Sequence, residues 1–284
     1  MKLAVDIGGT NIRIAIIDGK NIVVKDSITS EPNDFEKNFK EIIELTNKWS
    51  YDIDFIGICC PGPYDPKTGI IINSNNLPGW NGIPLKEKFQ KAYNTDNVKL
   101  NNDANIAALG QFLIRDNIHS LLYFTISTGI GAGYVCNGKI LEGFTGNALE
   151  VANSIPDISA INPTKSGIEF IASGRNILKN LLNEGLDIKD TKHAFELYYS
   201  KKNPIINAYF GFIEEKYIEF FSTAIYFFNP EIIVIGGSVA LHNKDWFENI
   251  FQKVIDVTKD ISYKTKFEFA NKLDESTLLG CALM

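Results

Sequence analysis

Two hydrophobic periods alternate along this chain. Residues 3–7 (Leu-Ala-Val-Asp-Ile) and 12–18 (Ile-Arg-Ile-Ala-Ile-Ile-Asp) are short apolar runs, each broken by a lone charge before its end. Gly8-Gly9-Thr10-Asn11 reads as a turn between them, and Asp18-Gly19 as a turn into 21–25, so three hairpin-linked strands are predicted. In Asp34–Ser50 the period changes: Phe35, Phe39, Ile42, Ile43, Leu45 and Trp49 fall on one side of a helix. Phe55–Cys60 is a buried strand that Pro61-Gly62-Pro63 stops, Gly69–Ile72 a strand edge, and Pro84–Tyr93 a short helix. Val98–Leu100 reads as a strand end, with a helix from Ile106 to about Arg115. Strands follow at 121–128 and 134–141. After them come a loop at 143–154 with Glu150 in a short helix, an irregular stretch at 157–167 and a helix at 168–182. Residues 183–206 look helical without a functional signal, and 208–228 is a long aromatic-rich helix for the core or a subunit interface. The chain closes with a buried strand at 231–235, a helix at 246–257, a strand at 265–269 and a helix at 276–284.

Candidate chemistry sits where these elements meet. In Val98–Gly110, Asp103 falls near a strand C-terminus and a helix N-terminus, where open α/β sheets gather ligands. A carboxylate there can take a proton from a hydroxyl, and aspartate also suits a helix cap; the segment alone leaves both roles open. Asn73–Gly82 is a polar loop with an exposed-looking Trp80. Its amides offer donors and acceptors to a hydroxyl-rich ligand, with Asn76 and Gly79 among the candidate contacts. Gly8 and Gly9 beside Thr10 and Asn11 can approach a phosphate closely, although a plain tight hairpin fits as well. Ser127, Thr128, Gly129, Gly131 and Gly133 form a second strand–glycine turn–strand unit. Neither unit is a P-loop, and the dinucleotide fingerprint fails at Tyr134. Two such turns facing each other would hold a polyphosphate from both sides. Gly236-Gly237-Ser238 follows a strand and admits a base or ribose close to the backbone.

Bulk properties narrow the classes. With 284 residues and 45% hydrophobic content, two domains and a substantial core are possible. Net charge is −6 without a basic run, which argues against nucleic acid or an anionic membrane as partner. Cys59, Cys60, Cys136 and Cys281 lack metal spacing and read as reduced thiols, those at 59 and 60 as strand packing; His119, His193 and His242 are scattered. No apolar run reaches the roughly 18 residues of a membrane span, and Met1-Lys2 leads at once into the first strand, so a cytoplasmic protein is expected.

Asp-Ile-Gly-Gly-Thr-Asn (6–11), Leu-Asn-Asn-Asp-Ala-Asn (100–105), Ser-Thr-Gly-Ile-Gly-Ala-Gly (127–133) and Ile-Val-Ile-Gly-Gly-Ser-Val (233–239), in this order, resemble the ROK family of bacterial sugar kinases from residue 3 to 284. The resemblance implies an α/β, actin-like ATPase (ribonuclease H-like) fold of two domains with a cleft between them, assigned here as 1–111 plus the helix at 275–284, and 112–274. It implies ATP contacts from Asp6, Gly8, Gly9, Thr10, Asn11, Ser127, Thr128, Gly129, Gly131, Gly236 and Gly237, with Mg²⁺ held by Asp6 through water. Asp103 becomes the general base on the sugar hydroxyl, and Asn102, Glu150, Asn153 and Glu169 become sugar contacts.

One departure stands out. Many family members bind a structural zinc through a His and a cysteine cluster; here the His position is Asn153 and 156–168 hold no cysteine, so no zinc is expected. Phe124–Val135, Ile168–Ile177 and Val234–Leu241 look most like bacterial N-acetylmannosamine kinases. The expected reaction is therefore phosphorylation of the 6-hydroxyl of N-acetylmannosamine, a step of sialic acid catabolism. Glucokinase or fructokinase is the alternative. A non-catalytic sugar-sensing regulator fits less well, because the first strand begins at Leu3 and leaves no room for a helix-turn-helix. The expected partners are sugar and ATP, with a homodimer implied by the family.

Overall fold

The computed structural model describes residues 1–74, 76–260 and 264–284. Contacts divide the chain into two units: Met1–Asn117 with Gly133–Ala148 and Lys272–Met284, and Ile118–Ala132 with Leu149–Asn271.

In the first unit, β1 (Lys2–Ile7), β2 (Asn11–Asp18), β3 (Asn21–Thr29), β4 (Phe55–Cys59) and β5 (Val98–Asn101) form one sheet in the order β3-β2-β1-β4-β5. The first three strands are antiparallel neighbours, as their turns predict, while β4 and β5 run parallel to β1. Helix α1 (Phe35–Trp49) begins where Asp34 accepts the Lys37 amide at 3.0 Å and ends at Ser50 in the left-handed region. It and α2 (Leu85–Tyr93) supply Phe35, Ile42, Leu85 and Phe89 to the core on one sheet face. The other face takes α3 (Asp103–Leu113) and α10 (Leu273–Leu283), through Ile106, Leu278, Cys281 and Ala282. Glycine makes that packing close: a Cβ on Gly57 of β4 would stand 1.7 Å from the Cys281 carbonyl oxygen, and one on Gly110 of α3 2.1 Å from that of Ser276.

Trp80 departs from its expectation. It is fully buried rather than exposed, in the core with Phe35 edge-on at 5.1 Å, and its indole N–H donates to the Glu31 carbonyl at 3.1 Å. A ring of that size has more apolar area to bury than its polar loop suggests, and its one polar atom finds a partner there.

The second sheet runs β10-β9-β6-β7-β8. It comprises β6 (Ser120–Ile126), β7 (Ile130–Cys136), β8 (Lys139–Ile140), β9 (Ile232–Gly236) and β10 (Lys266–Phe269), with β9 parallel to both β6 and β10. β7 from Gly133 onward and β8 belong to the first unit, and the second unit holds α4 (Ile168–Ala172), α5 (Gly174–Asn183), α6 (Thr191–Ser200), α7 (Pro204–Phe228), α8 (Ser238–His242) and α9 (Lys244–Thr258). Its core is aromatic: Phe124, Phe210, Tyr217, Phe221 and Phe247 are all fully buried. Asn203 caps α7 and Pro204 opens it, where a missing N–H costs nothing. The expected single helix at 168–182 is two, α4 and α5, because Ser173 is extended (φ −72°, ψ 157°). The break lets the Gly174 N–H reach the Ser127 carbonyl at 2.8 Å. No helix among the described residues is long and apolar enough to cross a membrane.

Candidate active site

In the first unit, β1, β4 and β5 are parallel, so their carboxyl ends lie at one edge of the sheet, where α/β proteins bind ligands. Asp6 sits one residue before the end of β1, and Asn101-Asn102-Asp103 joins β5 to α3. Both carboxylates lie near the end of β4: burial pushes the Cys60 thiol up to about 12, with the charges of Asp103 and Asp6 adding to it.

Asp103 is the first residue of α3, but the cap belongs to its neighbour, since Asn102 Oδ1 accepts the Asn105 amide at 2.7 Å. Asp103 Oδ1 accepts the Ala104 amide at 2.9 Å. Among the described residues the carboxylate takes hydrogen bonds from backbone amides, those of Ala104 and of Asp103 itself, and from no side chain, so the base role that the sequence left open stays available. The residue keeps solvent-accessible surface, and yet burial by its surroundings, with a smaller contribution from the Asp6 charge, raises its carboxyl above the usual aspartate range. A group that water reaches from one side while protein crowds the others shows both properties.

Behind it lies a polar network that sequence reasoning missed. Asn101, itself buried, donates to Glu142 Oε1 at 2.9 Å, and its Oδ1 accepts from the Asn102 amide and Asn105 Nδ2, each at 2.9 Å. These bonds fix the strand–helix junction that carries Asp103. A Cβ on Gly133 would lie 2.7 Å from the Ala104 carbonyl, so the chain at Gly133 passes directly against the same helix turn.

Asp6 faces Arg13 across the hairpin, and Arg13 Nη1 donates to its Oδ2 at 3.0 Å. Burial raises the Asp6 carboxyl; the Arg13 charge and a bond from the Cys59 thiol pull the other way. The Gly8 N–H closes the turn onto the Asn11 carbonyl at 3.0 Å, where a Cβ on Gly8 would meet the same oxygen at 2.9 Å. Thr10 and Asn11 are exposed beside it, and the Asn76 carbonyl would lie 3.8 Å from a Cβ on Gly9, so the polar loop borders the glycine turn. Gly79 is exposed, but its N–H donates to Pro32 and a Cβ would strike the Asn33 backbone. Asn75 of this loop lies outside the described residues.

In the second unit three segments meet at the carboxyl ends of β6 and β9. Ser127 N–H donates to the Gly129 carbonyl at 2.9 Å, making a tight turn with Thr128 at its tip. Gly174 and Arg175 donate their amides to the carbonyls of Ser127 and Thr128. Glu169 Oε2 accepts the Ile130 amide at 2.8 Å and would lie 2.6 Å from a Cβ on Gly129. Glu169 therefore supports the turn, whatever else it contacts. Gly237, at φ +90°, comes within 2.4 Å (measured from an added Cβ) of the Ile126 carbonyl, which brings Gly236-Gly237-Ser238 against the base of that turn. Glu150 and Asn153 are exposed, Glu150 just before a 3₁₀ turn at Val151–Asn153 and Asn153 its last residue, rather than lying in an α-helix. Gly167, just ahead of α4, packs on the Asn153 backbone, so Asn153 and Glu169 share one corner of this unit. The adjoining loop is tied by Ile168 N–H to the Ser154 carbonyl at 2.9 Å and by Ser166 Oγ to that of Asp157 at 3.1 Å. Among the described residues, no group of three or more His, Cys, Asp or Glu is placed to hold a metal.

Each unit thus places a glycine turn at its strand ends, as nucleotide-binding sheets do, and the first adds two carboxylates. A family model for the ROK family matches residues 2–284. A glucokinase of Halalkalibacterium halodurans is 31% identical over 270 residues, 84% of this chain and 80% of that protein. An N-acetylmannosamine kinase of Vibrio cholerae is 29% identical over 184 residues, 62% of this chain and 63% of that protein. The crystal structure of a ROK hexokinase from Thermus thermophilus superposes with a TM-score of 0.88 at 25% identity, covering 99% of this chain and 96% of that one.

Proposed function

The chain belongs to the ROK family, as a sugar kinase of actin-like ATPase fold, and we propose that it moves the terminal phosphoryl group of ATP to the 6-hydroxyl of a hexose or N-acetylhexosamine. The observation that carries this reading is Asp103: a carboxylate at the strand ends, relieved of capping by Asn102, and bonded to no side chain among the described residues. A sugar hydroxyl is a weak nucleophile, and a carboxylate in reach removes its proton as the bond to phosphorus forms. Asn102 and Asn76 are its proposed neighbours on the sugar in the first unit, with Gly79 lining the same loop; Glu150, Asn153 and Glu169 are the proposed sugar contacts in the second.

Phosphoryl transfer otherwise asks for positioning and charge neutralisation. The turns at Gly8-Gly9 and at Gly129 and Gly131, with the side chains of Thr10, Asn11, Ser127 and Thr128, are the proposed cradle for the phosphates, and Gly236 and Gly237 the proposed seat of the adenosine. Magnesium fits the donor set: it keeps several waters and takes one or two carboxylates with phosphates. Asp6 offers a nearly buried carboxylate of which Arg13 occupies one oxygen. Bound there through water, the ion would neutralise phosphate charge.

N-acetylmannosamine is the proposed acceptor, on the strength of Ser127-Thr128 and Ser173-Gly174-Arg175. Glucose is the second reading, favoured by the glucokinase relative that matches a larger share of the chain. The test is ADP release with N-acetylmannosamine, glucose and fructose in turn. The highest kcat/KM for N-acetylmannosamine supports the first reading; a preference for glucose selects the second; no ADP with any hexose removes the kinase reading.

A further inference from the structure

We propose that Arg13 and Asp274 are positioning residues of the transfer site, and that the C-terminal helix α10 is the frame that fixes Asp6 relative to Asp103. The inference rests on the reading of Asp6 and Asp103 as acids of that site. Arg13 bridges two carboxylates: Nη1 donates to Asp6 Oδ2 at 3.0 Å and Nη2 to Asp274 Oδ1 at 2.9 Å. Asp274 lies in the first turn of α10, 268 residues from Asp6. The same helix is locked to the Asp103 helix. Gly110 and Gly280 let the backbones of α3 and α10 touch, and buried Gln111 Nε2 donates to Ser276 Oγ at 2.8 Å. It is also locked to the sheet, where Gly57 admits the Cys281 carbonyl. One rigid element therefore meets both acids, Asp103 through helix packing and Asp6 through the guanidinium fork.

The fork is poorly explained as a stabilising ion pair. The Asp274 side chain is 66% exposed and that of Arg13 36%, and pairs so open contribute little to folding. The Asp6 side chain is only 11% exposed. An aspartate carboxylate can rotate about its last bond, and a planar guanidinium pinned at its far nitrogen removes that freedom in a way a lysine cannot. Lys25–Glu275, alongside, ties the neighbouring strand β3 to the same helix without touching Asp6 and serves as a control.

The experiment is a double-mutant cycle on the full chain with its preferred sugar: Arg13→Met, Asp274→Asn and both together. Arg13→Lys and Lys25→Gln accompany them, and kcat, KM, melting midpoint and metal-free ADP affinity are measured for each. The expected result is a kcat loss of roughly 10- to 100-fold for Arg13→Met, in the range that misplacement of a reacting group produces. Asp274→Asn is expected to lose about tenfold, with the sugar KM, melting midpoint and ADP affinity near wild type. The double variant should lose no more than Arg13→Met, because Asp274 acts through Arg13. Arg13→Lys should recover part of the rate and Lys25→Gln should match wild type. An active wild type whose Asp274→Asn keeps full kcat, or whose two losses multiply in the double variant, overturns the inference. So does a fall in metal-free ADP affinity in Arg13→Met that matches its rate loss, which makes Arg13 a nucleotide ligand instead. A wild type that phosphorylates no sugar defeats the kinase reading, a different outcome from any of these.

Discussion

Gly57→Ala adds one methyl group where β4 meets α10. Its Cβ would stand 1.7 Å from the Cys281 carbonyl oxygen, 2.4 Å from the carbonyl carbon and 3.1 Å from Met284 Cε. A non-bonded Cβ essentially never approaches within 3.0 Å, so the helix backbone must retreat by about 1.3 Å or more. No flexible side-chain end can absorb this, because the nearest atoms are backbone. The retreat loosens Cys281, Leu278 and Ala282 from Ala4, Ala15 and Ile106, all in one core cluster. Overpacking of this kind costs about 1–3 kcal/mol, and a backbone clash sits at the upper end. Alanine's lower entropy loss in a strand offsets roughly 0.5–1 kcal/mol, leaving about 2 kcal/mol net. For a chain of this size that lowers the melting midpoint by roughly 3–4 °C. Circular dichroism melts of wild type and variant at one protein concentration measure it. A midpoint within about 1 °C of wild type would refute the packing described for α10, and with it the frame that joins Asp6 to α3.

Other perturbations test separate parts of the account. Trp80→Phe leaves the Glu31 carbonyl without its donor, and should cost about 2 kcal/mol in urea unfolding; an unchanged midpoint would return the indole to the surface. Gly237→Ala must hold a side chain at φ +90° with its Cβ against the Ile126 carbonyl, a strain of about 1–3 kcal/mol. It should weaken ADP binding by roughly tenfold in calorimetry, and wild-type affinity would detach this loop from the nucleotide. Burial raises the Asp103 carboxyl, so the base picks up its proton sooner as pH falls. The acid limb of kcat/KM should therefore lie above the ordinary aspartate value of about 3.9, and a limb at or below that value contradicts the environment described.

Local chemistry was legible in the sequence, and long-range pairing was not. The strand–turn–strand reading of 3–18 succeeds because both strands are apolar and Gly8-Gly9 punctuates them. The same hairpin could have revealed Arg13: if Ile7 pairs with Ile12, the lone acid at 6 faces the lone cation at 13. Asp274 has no such signal, since only tertiary structure brings α10 to β2. Asn101 and Glu142 are likewise joined by a hairpin's return to the edge of β5. The break at Ser173 is easily missed because the pairs Ile168/Ala172 and Ile177/Leu181 are each four residues apart, as in a helix, and only their half-turn phase shift relative to each other marks the interruption; what bends the chain is the bond from Gly174 to a turn nearly fifty residues earlier. Trp80 misleads for the opposite reason, as one buried ring inside a stretch whose other residues mark a loop.

Asp103→Asn tests the centre of the account. Asparagine keeps the shape and can still accept the Ala104 amide through Oδ1, but it cannot take a proton from a sugar. Because burial raises the Asp103 carboxyl, the folded state holds its proton more tightly than the unfolded chain. The charged form therefore weighs against folding as pH rises above the unfolded value, and the neutral amide removes that penalty. Measured at pH 7.5 with saturating ATP and sugar, the variant should melt no lower than wild type and bind ADP as well. Its kcat should be about 10²–10⁴-fold lower, the usual contribution of a general base. Turnover within a few fold of wild type, in a variant that folds and binds nucleotide normally, would contradict the claim that this carboxylate activates the hydroxyl.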